Sequence, residues 1–307
     1  MSKAASWLIV GASGLLGHGL CRHLDAHGAA VTATRHSHPI RLPGIEEIAV
    51  DLTAQGTAAS LLEGRDQEVV VYAAGLTNVD ACERDEALAL RLHATVPAAL
   101  AAACRTRGQG FVFISTDHLW DGTKPVVEED EPLHPLNAYA RTKAAGEEAV
   151  RAALPDALIV RTNFFGMGRP WRKSLSDWML DRLRAGETLN AFVDAHFSPI
   201  AVPLLSELLM DCVAAGLGGT HHVCGGEHIS KYEFALRLAD WCGLPRRLVR
   251  PCRLGEAGLV APRPLDMSLS TEKISAALGR PMPNVDDSLW AVLGVPVMGS
   301  LRRIAHD

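Results

Sequence analysis

Aromatic residues supply only 5% of this 307-residue chain, and three of them are tyrosines. A phenol is scarce here, so a tyrosine placed near a charged partner is worth inspecting. Cysteines are few: seven, an odd number, scattered and without a C-x-x-C pair. That argues against a disulfide framework and reads as reduced thiols in the cytoplasm. A basic excess is also missing. The net charge of -5 argues against the broad basic face that nucleic-acid binding needs. Long unbroken apolar runs are absent. The early stretch "SWLIVGASGLLGHGLC" is cut by glycines, which predicts strand, turn and helix rather than a signal peptide or a membrane span. Neither a nucleic acid nor a membrane is an expected partner.

What is present is a regular alternation. "WLIVGA" reads as a buried parallel strand, followed by a helix through "LLGHGLCRHLDAHG" that ends at Gly28. Further strands are predicted at "AAVTATR", "IEEIAVDL", "EVVVYAAG", "GFVFIST" and "ALIVRTN". Alanine-rich helices such as "DEALALRLHATVPAALAAACRTRG" lie between them. Strands separated by helices mean crossover units and a doubly wound parallel sheet. From about Phe164 the rhythm changes. "LSDWMLDRLRAG" and "SKYEFALRLADWCG" read as helices set among loops rich in proline and glycine. No internal repeat or low-complexity linker is visible.

The first turn carries chemistry. "GASGLLG" spaces Gly11, Gly14 and Gly17 as G-x-x-G-x-x-G between a strand and a helix. Glycine permits a tight turn and lets backbone N–H groups approach a pyrophosphate, and the helix N-terminus adds partial positive charge. Together with Ser13, Leu15 and Leu16, this turn is the expected cofactor cradle. Residues 1–163 are therefore expected to form a dinucleotide-binding domain of the Rossmann type. Residues 164–307 should be mainly a smaller C-terminal substrate-binding lobe, with some segments returning to the first domain. A carboxylate at the end of the second strand would bind the adenosine ribose, whereas an arginine attracts a 2′-phosphate. Here the strand ends "TATRHSH", with Arg35 and no acid beside it in sequence. The expected cofactor is NADP(H), with NAD(H) left open. Asp51 suits the adenine amino group, with the Leu52 backbone beside it. Ala73, Ala74 and Gly75 are small where a cofactor would lie close.

"NAYARTKAAGEEAV" sets Tyr139 four residues before Lys143, on one face of a predicted helix. A free phenol is a poor acid–base at neutral pH, with a pKa of ~10. A neighbouring ammonium would lower it, and such a phenol can hand a proton to a carbonyl oxygen. The lysine could also hold the nicotinamide ribose. "FVFISTDHLWDG" supplies Ser115 and Thr116 at the C-terminal end of the fifth strand, the edge where ligands bind in open α/β sheets.

This combination resembles the extended short-chain dehydrogenase/reductase family, and more closely the dTDP-4-dehydrorhamnose reductases and related nucleotide-sugar reductases. "STDHLWDG" is similar to S-T-D-Y-V-F-D-G, "NAYARTKAAGE" to N-x-Y-G-x-x-K-x-x-G-E, and "RTNFFG" to R-T-S-W-V-Y-G. "DAHFSPIAV" is similar to D-Q-x-G-S-P-T and "RPLDMSLSTEKI" to R-P-x-x-S-x-L. The resemblance implies Thr116, Tyr139 and Lys143 as the catalytic set. It also implies Asp117, His118, Phe164 and Arg263 on the sugar-nucleotide side. The implied activity is NADPH-dependent reduction of a keto group on a nucleotide-linked deoxysugar, in the cytoplasm, with a homodimer left open.

Departures from that pattern define the alternatives. His93 stands where many relatives carry asparagine, and Phe164 stands for the tryptophan. Phe197 replaces a glycine, and His118 replaces the tyrosine after S-T-D. Related dehydratases carry glutamate at the His118 position, so dehydration is not expected. Related epimerase-reductases carry a cysteine acid–base there, a part that His118 could play. The alternative of another class is a non-catalytic regulatory subunit, since that of methionine adenosyltransferase resembles the same group. No metal site is expected. His23 and His27 read as an exposed helix face. His221, His222, Cys224 and His228 in "THHVCGGEH" read as a strand and turn. Phe164, Phe165, Trp171 and Trp178 are expected to be mostly core.

Overall fold

The six predicted strands all form and run parallel in one sheet: β1 (Ser6–Val10), β2 (Ala30–Arg35), β3 (Glu46–Ala49), β4 (Val69–Tyr72), β5 (Gly110–Ile114) and β6 (Leu158–Arg161). The computed structural model describes residues 5–295, so residues 1–4 and 296–307 of the two expected domains lie outside the described residues. A seventh strand, Gly219–His222, joins beside β6. The sheet then reads Gly219–His222, β6, β5, β4, β1, β2, β3. The chain starts in the middle and winds outward both ways, which leaves a crevice at the carboxyl ends of β1 and β4.

Alternate residues explain why these strands are apolar throughout. Trp7 and Ile9 of β1 enter the core on one face of the sheet, and Leu8 and Val10 enter the core on the other. Val69 and Val71 of β4 split from Val70 and Tyr72 in the same way. A parallel sheet covered on both faces needs such runs. On one side lies the helix α1 (Leu15–Ala26), packed on the Val202–Ala214 helix that returns from the C-terminal half. On the other lies the long helix of residues 86–107. It is apolar enough by composition to cross a membrane, yet its Val96, Leu100, Ala101 and Cys104 belong to the sheet's core. A π-helical turn, Arg91–Thr95, interrupts it just before Pro97. Proline has no N–H to give to the helix ladder, and the widened turn absorbs that loss.

The C-terminal half builds a second core from Phe165, Met179, Leu180, Leu189, Phe197, Phe234 and Leu238. Phe234 stands edge-on to both Phe165 and Phe197, with ring centres 4.9 and 5.6 Å apart. The expected aromatic core is only partly realised. Trp178 is exposed. Trp171 lies in a loop, stacked on His38 with ring centres 4.7 Å apart.

Candidate active site

The glycine turn is close-packed backbone. Gly11 has a φ of +93°, and a Cβ there would sit 2.7 Å from the Ala74 nitrogen. A Cβ on Gly17 would sit 2.5 Å from the Gly11 carbonyl oxygen. Only glycine fits either position. The turn is held in place by Thr34, whose hydroxyl accepts from the Gly11 N–H at 3.1 Å. No side chain caps the start of α1, and its first turn carries no acid. Its backbone donors and dipole therefore face an open cleft of about 700 Å³, a setting that suits pyrophosphate. Ser13, Gly14, Leu15, Leu16, Asp51, Leu52, Ala73, Ala74 and Gly75 line the same cleft, as does Arg35. These residues fit a dinucleotide.

Arg35 differs from expectation in one respect. No acid follows it in sequence, but β3 pairs with β2 and brings the Glu47 carboxylate onto its guanidinium. Glu47 also accepts from the Ile40 N–H at 2.8 Å. Asp51 is engaged locally, accepting from the Thr53 N–H and hydroxyl at 2.8 and 2.6 Å. Those bonds hold its carboxyl below the usual range.

At the other end of the cleft lie Thr116, Asp117, His118 and Tyr139. The helix bearing the tyrosine, Ala138–Ala153, starts there because Asn137 caps it: its side chain accepts from the Ala140 N–H at 2.9 Å. The Asn137 amide also donates to the Pro262 carbonyl at 2.8 Å, tying the helix start to the C-terminal half. Burial raises the Tyr139 phenol above the ordinary range, and the Thr116 hydroxyl at the same end of the cleft opposes that rise without cancelling it. Lys143 is not what adjusts it. The ammonium donates to the Ile114 carbonyl at 2.6 Å and lies 4.3 Å from the centre of the Phe113 ring. Burial lowers it to about 8. The expected lowering of the phenol by Lys143 is therefore not what this arrangement does. Desolvation outweighs any charge the phenol can feel.

His93 stands on the other side of Tyr139, edge-on at 5.5 Å. Its Nε2 accepts from the Leu76 N–H at 3.0 Å, and its Nδ1 lies 2.9 Å from the Thr142 hydroxyl. Burial and the Lys143 charge hold it neutral, at about 3. His118 also meets Tyr139 edge-on, with centres 5.6 Å apart. Its Nδ1 is buried with no hydrogen-bond partner, and burial lowers its pKa.

Asp117 organises this end of the cleft. Its carboxylate accepts from the Asn163 amide at 2.5 Å and the Thr116 hydroxyl at 3.2 Å. Phe164 lines the cleft, but Arg263 does not. Arg263 donates to the Asp80 carboxylate at 2.8 Å and to the Ala261 carbonyl at 2.7 Å. Its charge is already paired with Asp80, and it stands outside the cleft lining. Arg172 and Lys173, which the sequence reading passed over, do line the cleft. Asn163 was missed as well. Its signal was its place in "RTNFFG", next to the Phe164 already singled out.

Behind the site, Arg161 and Glu147 form a buried ion pair at 2.7 Å, and Glu147 accepts from the Ser115 hydroxyl at 2.5 Å. Ser115 thus braces the strand end rather than facing the chemistry. His221 and His222 have structural partners too: His221 lies 3.2 Å from the Gly218 carbonyl, and His222 lies 3.2 Å from the Ser270 carbonyl.

Residues 5–295 match the family model described as the RmlD substrate binding domain. A probable low-salt glycan biosynthesis reductase of Haloferax volcanii is 31% identical over 289 residues, 92% of this chain and 96% of that protein. A dTDP-4-dehydrorhamnose reductase of Mycobacterium tuberculosis is 30% identical over 297 residues, covering 94% and 92%. The crystal structure of a dTDP-4-dehydrorhamnose reductase from Clostridium acetobutylicum superposes with a TM-score of 0.81 at 26% identity, covering 94% of this chain and 98% of that one. The chain belongs to the RmlD substrate binding domain family.

Proposed function

We propose that this protein is an NADP(H)-dependent reductase of the extended short-chain dehydrogenase/reductase type. Its substrate is a keto group on a nucleotide-linked deoxysugar. The observation that carries the reading is that Tyr139 and Thr116 both line a cleft that begins at the glycine turn. Bound nicotinamide supplies the hydride. Gly11, Gly14 and the α1 N-terminus would hold the pyrophosphate, with Arg35 beside the adenosine ribose. Lys143, which does not line the cleft and donates to the Ile114 carbonyl, would have to turn toward the cleft to hold the nicotinamide ribose. Tyr139 gives its proton to the carbonyl oxygen as that oxygen gains charge, while the Thr116 hydroxyl, turned away from Asp117, would donate to the same oxygen. A phenol raised above its ordinary range stays protonated at neutral pH, which is the form that reduction needs. Asp117, held by Asn163, would receive sugar hydroxyls. The free thiols, five of the seven buried, suit a reducing compartment such as the cytoplasm.

A second reading, epimerisation coupled to reduction, rests on His118. A neutral imidazole with an unpartnered Nδ1 beside Tyr139 can act as a base on a sugar C–H next to the keto group. One experiment separates these readings. Purified protein is mixed with NADPH and a panel of 4-keto sugar nucleotides in D₂O. Reduction alone consumes NADPH and leaves the neighbouring C–H bonds unlabelled, whereas epimerisation places deuterium there. No NADPH loss with any keto sugar would favour the regulatory-subunit reading.

A further inference from the structure

Three metal-ligating side chains meet outside the catalytic cleft, on one small sheet. The sheet is built from His196–Phe197, Ile229–Ser230 and Asp266–Met267. His196 and Asp266 belong to two of these strands, and His228 immediately precedes the third. Their ligand atoms all lie within 4.8 Å of one another. His228 Nε2 is 3.0 Å from Asp266 Oδ2, and the two imidazole centres are 4.9 Å apart. Two imidazoles and one carboxylate form a borderline donor set. That set suits zinc, whereas calcium and magnesium take oxygen donors.

The surroundings are those of a ligating carboxylate. Asp266 Oδ1 accepts from the Ser268 N–H and hydroxyl at 2.9 and 2.5 Å. Those bonds turn Oδ2 toward His228. One oxygen held by its own turn and the other facing an imidazole is an arrangement that suits a monodentate carboxylate ligand. Asp266 is largely covered, with 13% of its side chain exposed, while His228 keeps 35% exposed. An ion can therefore enter from the His228 side, and water can complete its shell. An isolated histidine–aspartate pair would account for His228 and Asp266 but not for His196, the second ring turned to the same point.

We propose that His196, His228 and Asp266 form a three-ligand site for a divalent ion of the zinc class, with water as fourth ligand. The ion would staple the three strands together. Phe197 and Met267, next in sequence to two of the ligands, lie in the core of the C-terminal half. Metal binding would thus stabilise that half. The site does not depend on the reductase reading, and its test is not an activity assay. Chelator-stripped full-length protein is titrated with zinc chloride against a chromophoric competitor, and its thermal unfolding is followed with and without zinc. The expected result is one zinc per chain and a raised unfolding temperature. His228→Gln and Asp266→Asn should each weaken binding by about tenfold or more and abolish the thermal gain. Cobalt in place of zinc should give the intense visible bands of a low-coordinate ion in the native protein alone. His228 is exposed, so its variant should fold, and unfolding of stripped protein checks this directly. Absence of stoichiometric binding would overturn the proposal. So would binding to both variants as tight as to the native protein.

Discussion

The two ends of the cleft are made of different material. The cofactor end is backbone: a glycine turn, an uncapped helix start and a run of small residues at Ala73–Gly75. The other end, the proposed substrate end, is side chains drawn from distant segments, with Asp117 and His118, Tyr139, and Asn163 meeting from three places in the chain. A site made of backbone needs particular residues at fixed local spacing. A site made of side chains needs only that the fold bring the right groups together. The first therefore fails when any atom is added, and the second fails one contact at a time.

The largest effect should come from adding an atom at the backbone end. Gly17→Val would drive a Cβ to 2.5 Å from the Gly11 carbonyl oxygen, with backbone on both sides. NADPH binding should fall by more than about 100-fold, the scale of several kcal/mol of overpacking. Isothermal titration with NADPH measures this. Near-normal affinity would mean that the turn is not the cradle.

Acid sensitivity should be next. His93 and His222 are both held neutral at about 3, against an ordinary 6.5, chiefly by burial. Protonation then favours the unfolded chain. Their contribution is intact above pH 6.5 and is lost as pH falls from there toward 3. Each can add up to about 1.4 kcal/mol per pH unit. Urea unfolding between pH 7 and 4 should show a steep loss, and His93→Asn should flatten part of it. Parallel curves for variant and native protein would contradict the neutral, buried ring.

A smaller effect belongs to the side-chain end. Asn163→Leu removes the amide that Asp117 accepts at 2.5 Å. The sugar nucleotide KM should rise by about tenfold, with NADPH affinity unchanged. A change in both would mean that the two ends are less separate than described. The smallest effect is expected at Arg35, already paired with Glu47. Arg35→Ala should reduce the preference for NADPH over NADH by about tenfold or less. Equal affinities in the native protein would remove the argument for NADP(H).

The same contrast decides what could be read beforehand. The sheet, the turn and the Tyr139–Lys143 helix were legible because each is local. Continuous apolar runs mean strands buried on both faces, and glycine spacing means a turn. The partners of Arg35, Arg263 and Lys143 were not legible. Glu47 reaches Arg35 through strand pairing, and Asp80 reaches Arg263 across 183 positions. Burial, which raises the Tyr139 phenol and lowers Lys143, is a property of the packed molecule and leaves no mark on a Y-x-x-x-K spacing. His196 and Asp266 likewise lie far from His228 in sequence, so no ligand spacing announced them.

The most direct test of the central claim is the turnover of Tyr139→Phe with a 4-keto sugar nucleotide and NADPH. The substitution keeps the ring between His93 and His118 and removes the proton. Turnover should fall by about 10²–10⁴-fold, or about 3–5 kcal/mol of barrier, with NADPH affinity nearly unchanged. In the native enzyme, the alkaline fall in activity should lie above the free-tyrosine range, because burial raises the phenol. Near-normal turnover in Tyr139→Phe would contradict the account and leave Tyr139 a packing residue.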